Sequence, residues 1–261
     1  MNPPPIPTLS TLAQAAAAPA SPSPAAPADQ ALSALAAYDL GSSRAALLPL
    51  DEAVRAALAN PDACRRLESR LLGLLDAKPS SAAAEYVCAK LGLIGSAATV
   101  PALARLLGNP AVGHAARTAL TALPGPEASR ALRDSLPRLT GRERIGVLHS
   151  LGQRRDTASI PLLEPMLSSA DSATADAAAY ALCEIGGPEA ARALLAAFDQ
   201  AAANARPSLA DACLACAERL AAAGDTSTAR AVCDRLSQAS LPPHIHQAAR
   251  AAQSKLSTGS S

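Results

Sequence analysis

Apolar side chains recur along most of the chain with the spacing of an amphipathic helix. In the segment LGLIGSAATVPALARLL (91–107), Leu103 and Leu107 follow Val100 at offsets of three and seven residues. These offsets place all three side chains on one face of a helix. Four more sets of residues with the same spacing are Ser129, Leu132 and Leu136; Ile160, Leu163 and Leu167; Ala191, Leu194 and Phe198; and Ala229, Val232 and Leu236.

The middle residues of these five sets define an internal repeat. Positions 103, 132, 163, 194 and 232 lie 29, 31, 31 and 38 residues apart. Between the sets lie second amphipathic segments at 110–123, 141–152, 171–186 and 208–224. We therefore predict one helical hairpin per repeat, whose apolar face is buried only when neighbouring hairpins stack on one another.

Glycines mark the ends of most second segments. Gly95, Gly186 and Gly224 each follow an apolar helix end, and Pro124 takes the equivalent place in one copy. This position predicts a helix C-cap in the left-handed region of backbone conformation. A phosphate-binding loop at Gly95 is disfavoured, because no strand precedes it and no GK[ST] sequence follows it.

Composition also predicts an all-α fold. The chain is 49% hydrophobic but only 2% aromatic, and it contains no tryptophan. Alanine, the dominant apolar residue, has the highest helix propensity and allows helices to approach closely. Aromatic and β-branched strand formers are too scarce for a sheet protein.

These features resemble the HEAT-repeat family, in particular its short phycobilisome-lyase-type repeats. The family's first-helix pattern, a glycine followed by V-P-A-L-x-x-x-L, stands here at 95–107 and more loosely at 160–167. Its second-helix pattern D-x-x-V-R is followed from Asn109, with Gly113 in place of the arginine. The resemblance covers roughly residues 80–257. It implies an all-α, right-handed α-α superhelix (a HEAT-repeat α-solenoid) of about five to six helical hairpins.

Four regions are predicted along the chain. Residues 1–30 form a disordered Pro/Ala-rich arm, because their composition cannot bury enough surface to offset the entropy of ordering. Residues 31–78 form a divergent N-terminal helical cap, residues 79–257 the HEAT-like repeats, and residues 258–261 a disordered tail. The arm also has Ala-Pro-Ala sites typical of a processing signal. Two locations are therefore predicted as alternatives. The protein is cytoplasmic by default, and it is periplasmic or secreted if the arm is the remnant of a signal.

The charged residues are balanced and dispersed. The chain has 23 basic and 22 acidic residues, and no apolar run is long enough to span a membrane. The sequence contains no block of basic residues interleaved with aromatic residues. Nucleic-acid binding is therefore not indicated. The pairs Arg65-Arg66 and Arg154-Arg155 are predicted to be solvated surface.

Six cysteines raise the question of a metal site. Cys213, Cys216, Cys233 and His244 form a ligand set that tetrahedral zinc accepts if neighbouring helices bring them together. The alternative, which we favour, is packing, because the two cysteines at 213 and 216 lie within an alanine-rich helix where cysteine behaves as a small hydrophobe. Unpatterned cysteines in a chain of this length also favour a reducing compartment.

The histidines do not match the iron sites of some HEAT-like proteins. The deoxyhypusine hydroxylase type of this family binds two irons through His-Glu pairs. Here His114 precedes alanine and His149 precedes serine, and neither His244 nor His246 is followed by glutamate. The sequence therefore argues against that activity, and no nucleophile-elbow motif is present.

The HEAT resemblance implies a non-enzymatic scaffold for protein–protein interaction. We expect the scaffold to be a monomer and to need no cofactor. Its predicted working surface is the concave row of second helices, including Arg117, Arg144 and His149. One alternative is an accessory or regulatory domain of an enzyme system, as in the lyase relatives. Another is a solenoid that binds nucleic acid through a basic face.

Overall fold

The computed structural model describes residues 25–258, which fold into fourteen α-helices without a β-strand. The predicted all-α fold is confirmed. Within this part of the chain no helix combines the length and the hydropathy needed to cross a bilayer. Residues 1–24 and 259–261, which include most of the predicted arm and tail, lie outside the described residues.

Six first helices alternate with six second helices along most of the chain. The two N-terminal helices are α1 (Ala25–Ala36) and α2 (Leu48–Ala57). The first helices are α3 (Pro61–Asp76), α5 (Val100–Leu106), α7 (Pro126–Ser135), α9 (Ile160–Leu163), α11 (Gly187–Gln200) and α13 (Thr226–Ser237). The second helices are α4 (Ser81–Ile94), α6 (Gly113–Ala122), α8 (Gly141–Gln153), α10 (Ser172–Ile185), α12 (Arg206–Ala222) and α14 (Pro243–Thr258).

Each first helix packs against the second helix that follows it, and each second helix also packs against the next second helix. The described residues therefore form six stacked hairpins with a continuous row of second helices, in agreement with the predicted five to six. The helix α3 pairs with α4, and its residues Cys64, Leu67 and Leu71 have the anchor spacing of three and seven residues, although the predicted repeat begins only at 79. The proposed boundary at 78–79 thus falls in the turn of the first hairpin, and the boundary at 30–31 falls within α1.

The apolar positions that define the repeat form the centre of the core. All fifteen predicted anchor side chains are buried, with relative exposures of 7% or less. All of them except the polar Ser129 belong to one contiguous hydrophobic cluster that runs through every hairpin. Stacking therefore buries the apolar face that a single hairpin would leave in water, as the repeat pattern predicts.

The first helix of the fourth hairpin is unusually short. Helix α9 has four residues, Ile160–Leu163, and continues as a 3-10 helix over Glu164–Ser168. Pro161 fits the first helical turn, where its missing N–H has no role. Pro165 cannot donate the next α-helical hydrogen bond, so the chain tightens into the 3-10 form.

Gly95 closes α4 in an extended conformation (φ −68°, ψ 155°), so the predicted left-handed cap is wrong at this position. A Cβ atom here would lie 2.4 Å from the carbonyl oxygen of Leu91 and 2.8 Å from Oγ1 of Thr99. Glycine is required because the chain passes too close to its neighbours for any side chain. At Gly186 and Gly224 φ is 69° and 89°, as the cap prediction requires.

Arg154 is not the solvated surface residue that its place in a basic pair suggests. Its guanidinium donates hydrogen bonds of 2.6–3.1 Å to four carbonyl oxygens between residues 120 and 125. Its Nε donates to Oγ of Ser129 at 2.7 Å. The side chain of α8's C-cap thus satisfies the carbonyls at the end of α6, which have no partner within their own helix. Arg155, Arg65 and Arg66 are exposed, as predicted.

We expect Gly95→Ala to lower the free energy of unfolding by about 1–3 kcal/mol, because the added methyl group must displace backbone and the side chain of Thr99. Urea denaturation followed by circular dichroism measures this loss. Gly73→Ala is the matched control: it lies in α3 with no atom within 4 Å of its Cβ position. That substitution should leave stability unchanged or raise it by up to about 1 kcal/mol. Equal effects at both positions would contradict the packing argument.

We expect Arg154→Gln to destabilise the protein by about 2 kcal/mol, because buried carbonyl oxygens of the α6–α7 turn lose their donor. The shift in the urea midpoint measures this effect. Arg155→Gln changes the neighbouring exposed arginine and should stay within about 0.5 kcal/mol of the parent protein. A neutral Arg154 variant would show that water replaces the guanidinium without cost.

Candidate interaction surface

The row of second helices presents one continuous side, which we call the second-helix face. It consists of the exposed or half-buried side chains that each of these helices turns away from the core. Three contacts join neighbouring helices across it: the rings of His149 and Tyr180, the ion pair of Glu184 with Arg219, and a hydrogen bond from Ser208 to Asp176. Its members are Ala82, Glu85, Ala89 and Leu93 of α4; His114, Arg117, Thr118 and Ala122 of α6; Arg142, Ile145 and His149 of α8; Asp176, Tyr180 and Glu184 of α10; and Ser208, Asp211, Ala215 and Arg219 of α12.

Small residues let the second helices approach closely. A Cβ atom on Gly92 of α4 would lie 3.1 Å from Cα of Ala119 on α6. A Cβ atom on Gly152 of α8 would lie 2.9 Å from Cα of Ala181 on α10. Both contacts are between backbones, so larger residues there would force the helices apart. The spacing of the second-helix face is therefore fixed by residues beneath it.

Arg117 crosses from α6 to α8 and is half-buried. Its side chain passes over Gly146, where a Cβ atom would lie 2.7 Å from its Nε. One terminal nitrogen donates to Oγ of Ser150 at 2.8 Å, and the other donates to Nδ1 of His114 at 3.0 Å. The hydroxyl of Thr121 completes the network with a 2.8 Å hydrogen bond to Ser150. Burial lowers the pKa of Arg117, and none of the ion pairs within residues 25–258 includes it.

Arg144 has a different role from the one its charge suggests. It is half-buried, and its Nε donates a 2.7 Å hydrogen bond to the carbonyl oxygen of Leu139. Its charge also acts on Asp171, whose pKa is lowered mainly by the hydrogen bond from Thr174. Arg144 thus holds the turn that leads into α8 and reaches toward the start of α10.

His149 lies at the centre of the face, between α8 and α10. Its ring is tilted by 45° to the ring of Tyr180, with 4.7 Å between the ring centroids. Burial and the positive charge of Arg117 lower the pKa of His149. Burial and the nearby Glu184 carboxylate raise the pKa of Tyr180. Arg117 and His149 therefore belong to one polar array that extends through Tyr180 and Glu184 to Arg219.

An apolar groove occupies the N-terminal end of the face. It has a volume of about 640 Å³ and runs between α4 and α6, with one bank supplied by the chain that follows α1. Gly92 and Ala119 form its floor, where the two helices meet. Leu93 on α4 and Leu40 on the bank are 60% and 87% exposed. Together with Tyr38, these side chains make an apolar surface that no other described residue covers.

A second cavity, of about 230 Å³, adjoins the groove between α6 and α8; we call it the arginine pocket. Arg117 and Arg142 line it together with His114 and Glu143. Arg142 is exposed and makes no ion pair with the described residues. His114 lines the groove as well, so the two cavities meet at this side chain.

The cysteines named as possible zinc ligands are core residues. Cys213 and Cys216 on α12 and Cys233 on α13 are at most 1% exposed, whereas His244 at the start of α14 is exposed. Burial raises the pKa of all three thiols, that of Cys216 to about 12. They are therefore protonated near neutral pH, and the thiolate that binds metal is disfavoured. Among residues 25–258, no group of three His, Cys, Asp or Glu side chains is placed to hold a metal ion.

The sequence analysis missed Leu40 and Leu93. A signal for Leu93 was available, because aligning the repeats on Gly95, Gly186 and Gly224 places Leu93 opposite Glu184 and Ala222. A large apolar residue at a position that is elsewhere charged or small indicates a surface that is used. Leu40 lies outside the repeat, so no periodic comparison applies to it.

The fold and the face define a helical hairpin-repeat protein. Residues 141–215, from the start of α8 into α12, match the family model for HEAT repeats. The predicted HEAT-repeat character is confirmed over this segment, and the same hairpin packing runs from α3 to α14. A comparison with curated proteins finds no match.

Several solved structures are similar to this chain. One is a chain of the complex of CpcE and CpcF of phycocyanin lyase from Nostoc sp. PCC7120, which is 22% identical in sequence. The match covers 92% of this chain and 98% of that chain, with a TM-score of 0.42. Human deoxyhypusine hydroxylase in complex with glycerol is 15% identical, with coverages of 90% and 97% and a TM-score of 0.38. An engineered protein is 19% identical, with coverages of 80% and 96% and a TM-score of 0.35.

We expect Arg117→Gln to raise the pKa of His149, because a positive charge beside the imidazole is removed. A titration of the ring protons by NMR measures the shift. Because folding lowers this pKa, His149 stabilises the fold above the unfolded-state pKa of about 6.5. This contribution is lost as the pH falls through the folded pKa. Arg138→Gln is the control and should leave the titration unchanged. Arg138 lies in the short 3-10 helix that follows α7, and it donates a hydrogen bond to the carbonyl oxygen of Ala104. An unshifted His149 in the Arg117 variant would contradict the coupling.

Proposed function

We propose that the protein is a scaffold for protein–protein interaction, without catalysis of its own, and that it binds its partner on the second-helix face. One observation carries the proposal. Leu40 and Leu93 are 87% and 60% exposed beside a groove of about 640 Å³. A contiguous uncovered apolar surface on a protein of this kind marks an interaction site, because its exposure to water is unfavourable until a partner covers it.

The turn that carries Leu40 supports this proposal. The backbone at Leu40 is held in place, because its N–H donates a 2.8 Å hydrogen bond to Oδ1 of Asp39. Ser42 N–H donates to the carbonyl oxygen of Asp39 at 3.0 Å, and Gly41 has a φ of 87°. A hydrogen-bonded turn thus holds an apolar side chain in solvent. An anchor fixed before binding loses little conformational entropy when a partner covers it.

The polar array supplies the other half of the surface. Arg117 and His149 lie on the face itself, and Arg144 fixes the turn at the start of α8. In the proposed scaffold, Arg117 and His149 contact the partner and Arg144 positions the helix that carries them. Recognition combines the apolar groove with these polar groups, as in protein interfaces that have an apolar centre and a polar rim.

We expect Leu93→Glu to reduce the capture of partner proteins from an extract of the source cell by about tenfold or more, because the charge enters the apolar centre of the interface. Quantitative mass spectrometry of proteins retained by the immobilised chain measures the loss. Leu58→Glu is the matched control: Leu58 is 57% exposed but follows α2 and does not line the groove.

Circular dichroism must show that both variants are folded. A folded Leu93→Glu variant that retains every partner captured by the parent protein would contradict the assignment of the surface. Equal losses in the Leu58 and Leu93 variants would show a general effect of added charge.

A further inference from the structure

We propose that the partner segment is an acidic amphipathic helix, with its apolar side in the groove and a carboxylate in the arginine pocket. This inference rests on the proposed scaffold function and specifies the chemistry of the partner. It depends on two independent features: the shape of the groove and the unbalanced charge of Arg117 and Arg142.

The groove has the dimensions of a site for a helix. It follows α4 from Ala82 to Leu93, a length of about 16 Å or three helical turns at 1.5 Å per residue. Its floor consists of small residues, Gly92, Ala115 and Ala119 among them. Such a floor allows a third helix to approach α4 and α6 at the short distances of helix packing. Apolar side chains at positions i, i+3 or i+4, and i+7 would then contact Leu40 and Leu93.

Arg117 has no counter-ion among residues 25–258. Its guanidinium is half-buried, and its hydrogen-bond acceptors are a hydroxyl and an imidazole, both uncharged groups. Burial of a charge without an ionic partner is unfavourable, as the lowered pKa of Arg117 reflects. A carboxylate placed in the arginine pocket would remove this cost and form charge-assisted hydrogen bonds.

His114 adds a donor to the same pocket. Because Arg117 can only donate hydrogen bonds, Nδ1 of His114 must accept the one between them. The ring proton of a neutral His114 is therefore on Nε2, which is free to donate to an anion. The network thus orients a guanidinium and an imidazole N–H at the point where the groove and the arginine pocket meet.

The remaining charges around the two cavities favour an anionic partner as well. Arg142 lines the arginine pocket, and Arg44 lies on the bank of the groove, 5.9 Å from the centre of the Tyr86 ring. Glu85 and Glu143 also line the cavities, but neither forms an ion pair with these arginines. Three guanidinium groups therefore face two carboxylates, which leaves an excess of positive charge at this end of the face.

The opposite end of the face sets a limit to the acidic segment. Asp176 and Asp211 lie exposed on α10 and α12. Their charge repels a long acidic tract that would continue across α8. The partner's carboxylates are therefore confined to the end of the helix that lies over α6 and α8.

The test uses three labelled, helix-stapled peptides of about 14 residues with leucines at i, i+3, i+7 and i+10. Two positions at one end are glutamate, glutamine or lysine. Fluorescence anisotropy at low salt should show that the glutamate peptide binds most tightly, the glutamine peptide less tightly and the lysine peptide most weakly, with steps of about threefold or more.

In the Arg117→Gln/Arg142→Gln variant the preference for glutamate should disappear, while the glutamine peptide binds as before. Arg105→Gln, whose partner Asp76 lies on the first helices, is the control and should keep the preference.

The possible failures are distinguishable. Equal binding of the glutamate and glutamine peptides, or tighter binding of the lysine peptide, would overturn the inference and leave the groove as an uncharged docking site. No binding of any peptide at about 1 mM would overturn the helical partner, whereas the capture experiment with Leu93→Glu decides the scaffold function separately. Binding of inorganic phosphate, detected at His114 by NMR without any discrimination among peptides, would replace the partner helix with a site for a small anion.

Discussion

The close approach of neighbouring second helices determines the rest of the molecule. At Gly92 and Gly152 the backbone of one helix lies against the backbone of the next, so that a Cβ atom would be tight at the first position and would clash at the second. This contact sets the distance between hairpins, and the apolar anchors then fill the space between first and second helices. It also leaves a shallow floor between α4 and α6, which becomes a groove because the flanking side chains rise above it. Arg117 spans two helices for the same reason, since Gly146 leaves the space that its side chain occupies.

The sequence contains the information about the core in a form that can be read directly. Burial repeats with the period of the helix, so residues such as Leu103 and Leu194 could be assigned to the interior from spacing alone. The second helices observed begin and end within three residues of the predicted segments. Gly95 could not be assigned correctly, because its conformation depends on Thr99 and on the next hairpin rather than on its local position.

The surface was less predictable because its contacts are not periodic. Arg154 binds acceptors spread over residues 120–129, and no local pattern indicates that one turn brings them together. Arg144 and Arg117 were correctly placed on the second helices, but spacing could not show that their guanidinium groups are engaged by Leu139 and Ser150. Leu40 follows a tight turn outside the repeat, so its exposure emerges only from the folded chain.

The face divides into two parts of different chemistry. The part over α4, α6 and α8 combines exposed leucines with guanidinium groups that have no carboxylate partner in the described part of the chain. The part over α10 and α12 carries carboxylates and the exposed ring of Tyr180. His149 lies where the two parts meet. Its ring contacts the ring of Tyr180 on α10, and the charge of Arg117 on α6 acts on it from the other side. A partner that covers both parts must therefore match a change of sign along its length.

The five hydrogen bonds of Arg154 also have a consequence for how the chain can vary in length. A guanidinium is planar and rigid, so its acceptors must keep their relative positions to within a few tenths of an ångström. Inserting or deleting a residue between Leu120 and Ser129 would move the acceptors out of register with the donor. The length of the turn from α6 to α7 is thus fixed by a residue at the end of α8. The connection at 201–205, where Arg206 binds a single carbonyl oxygen, is under no such constraint and is the natural place for the chain to accept an insertion.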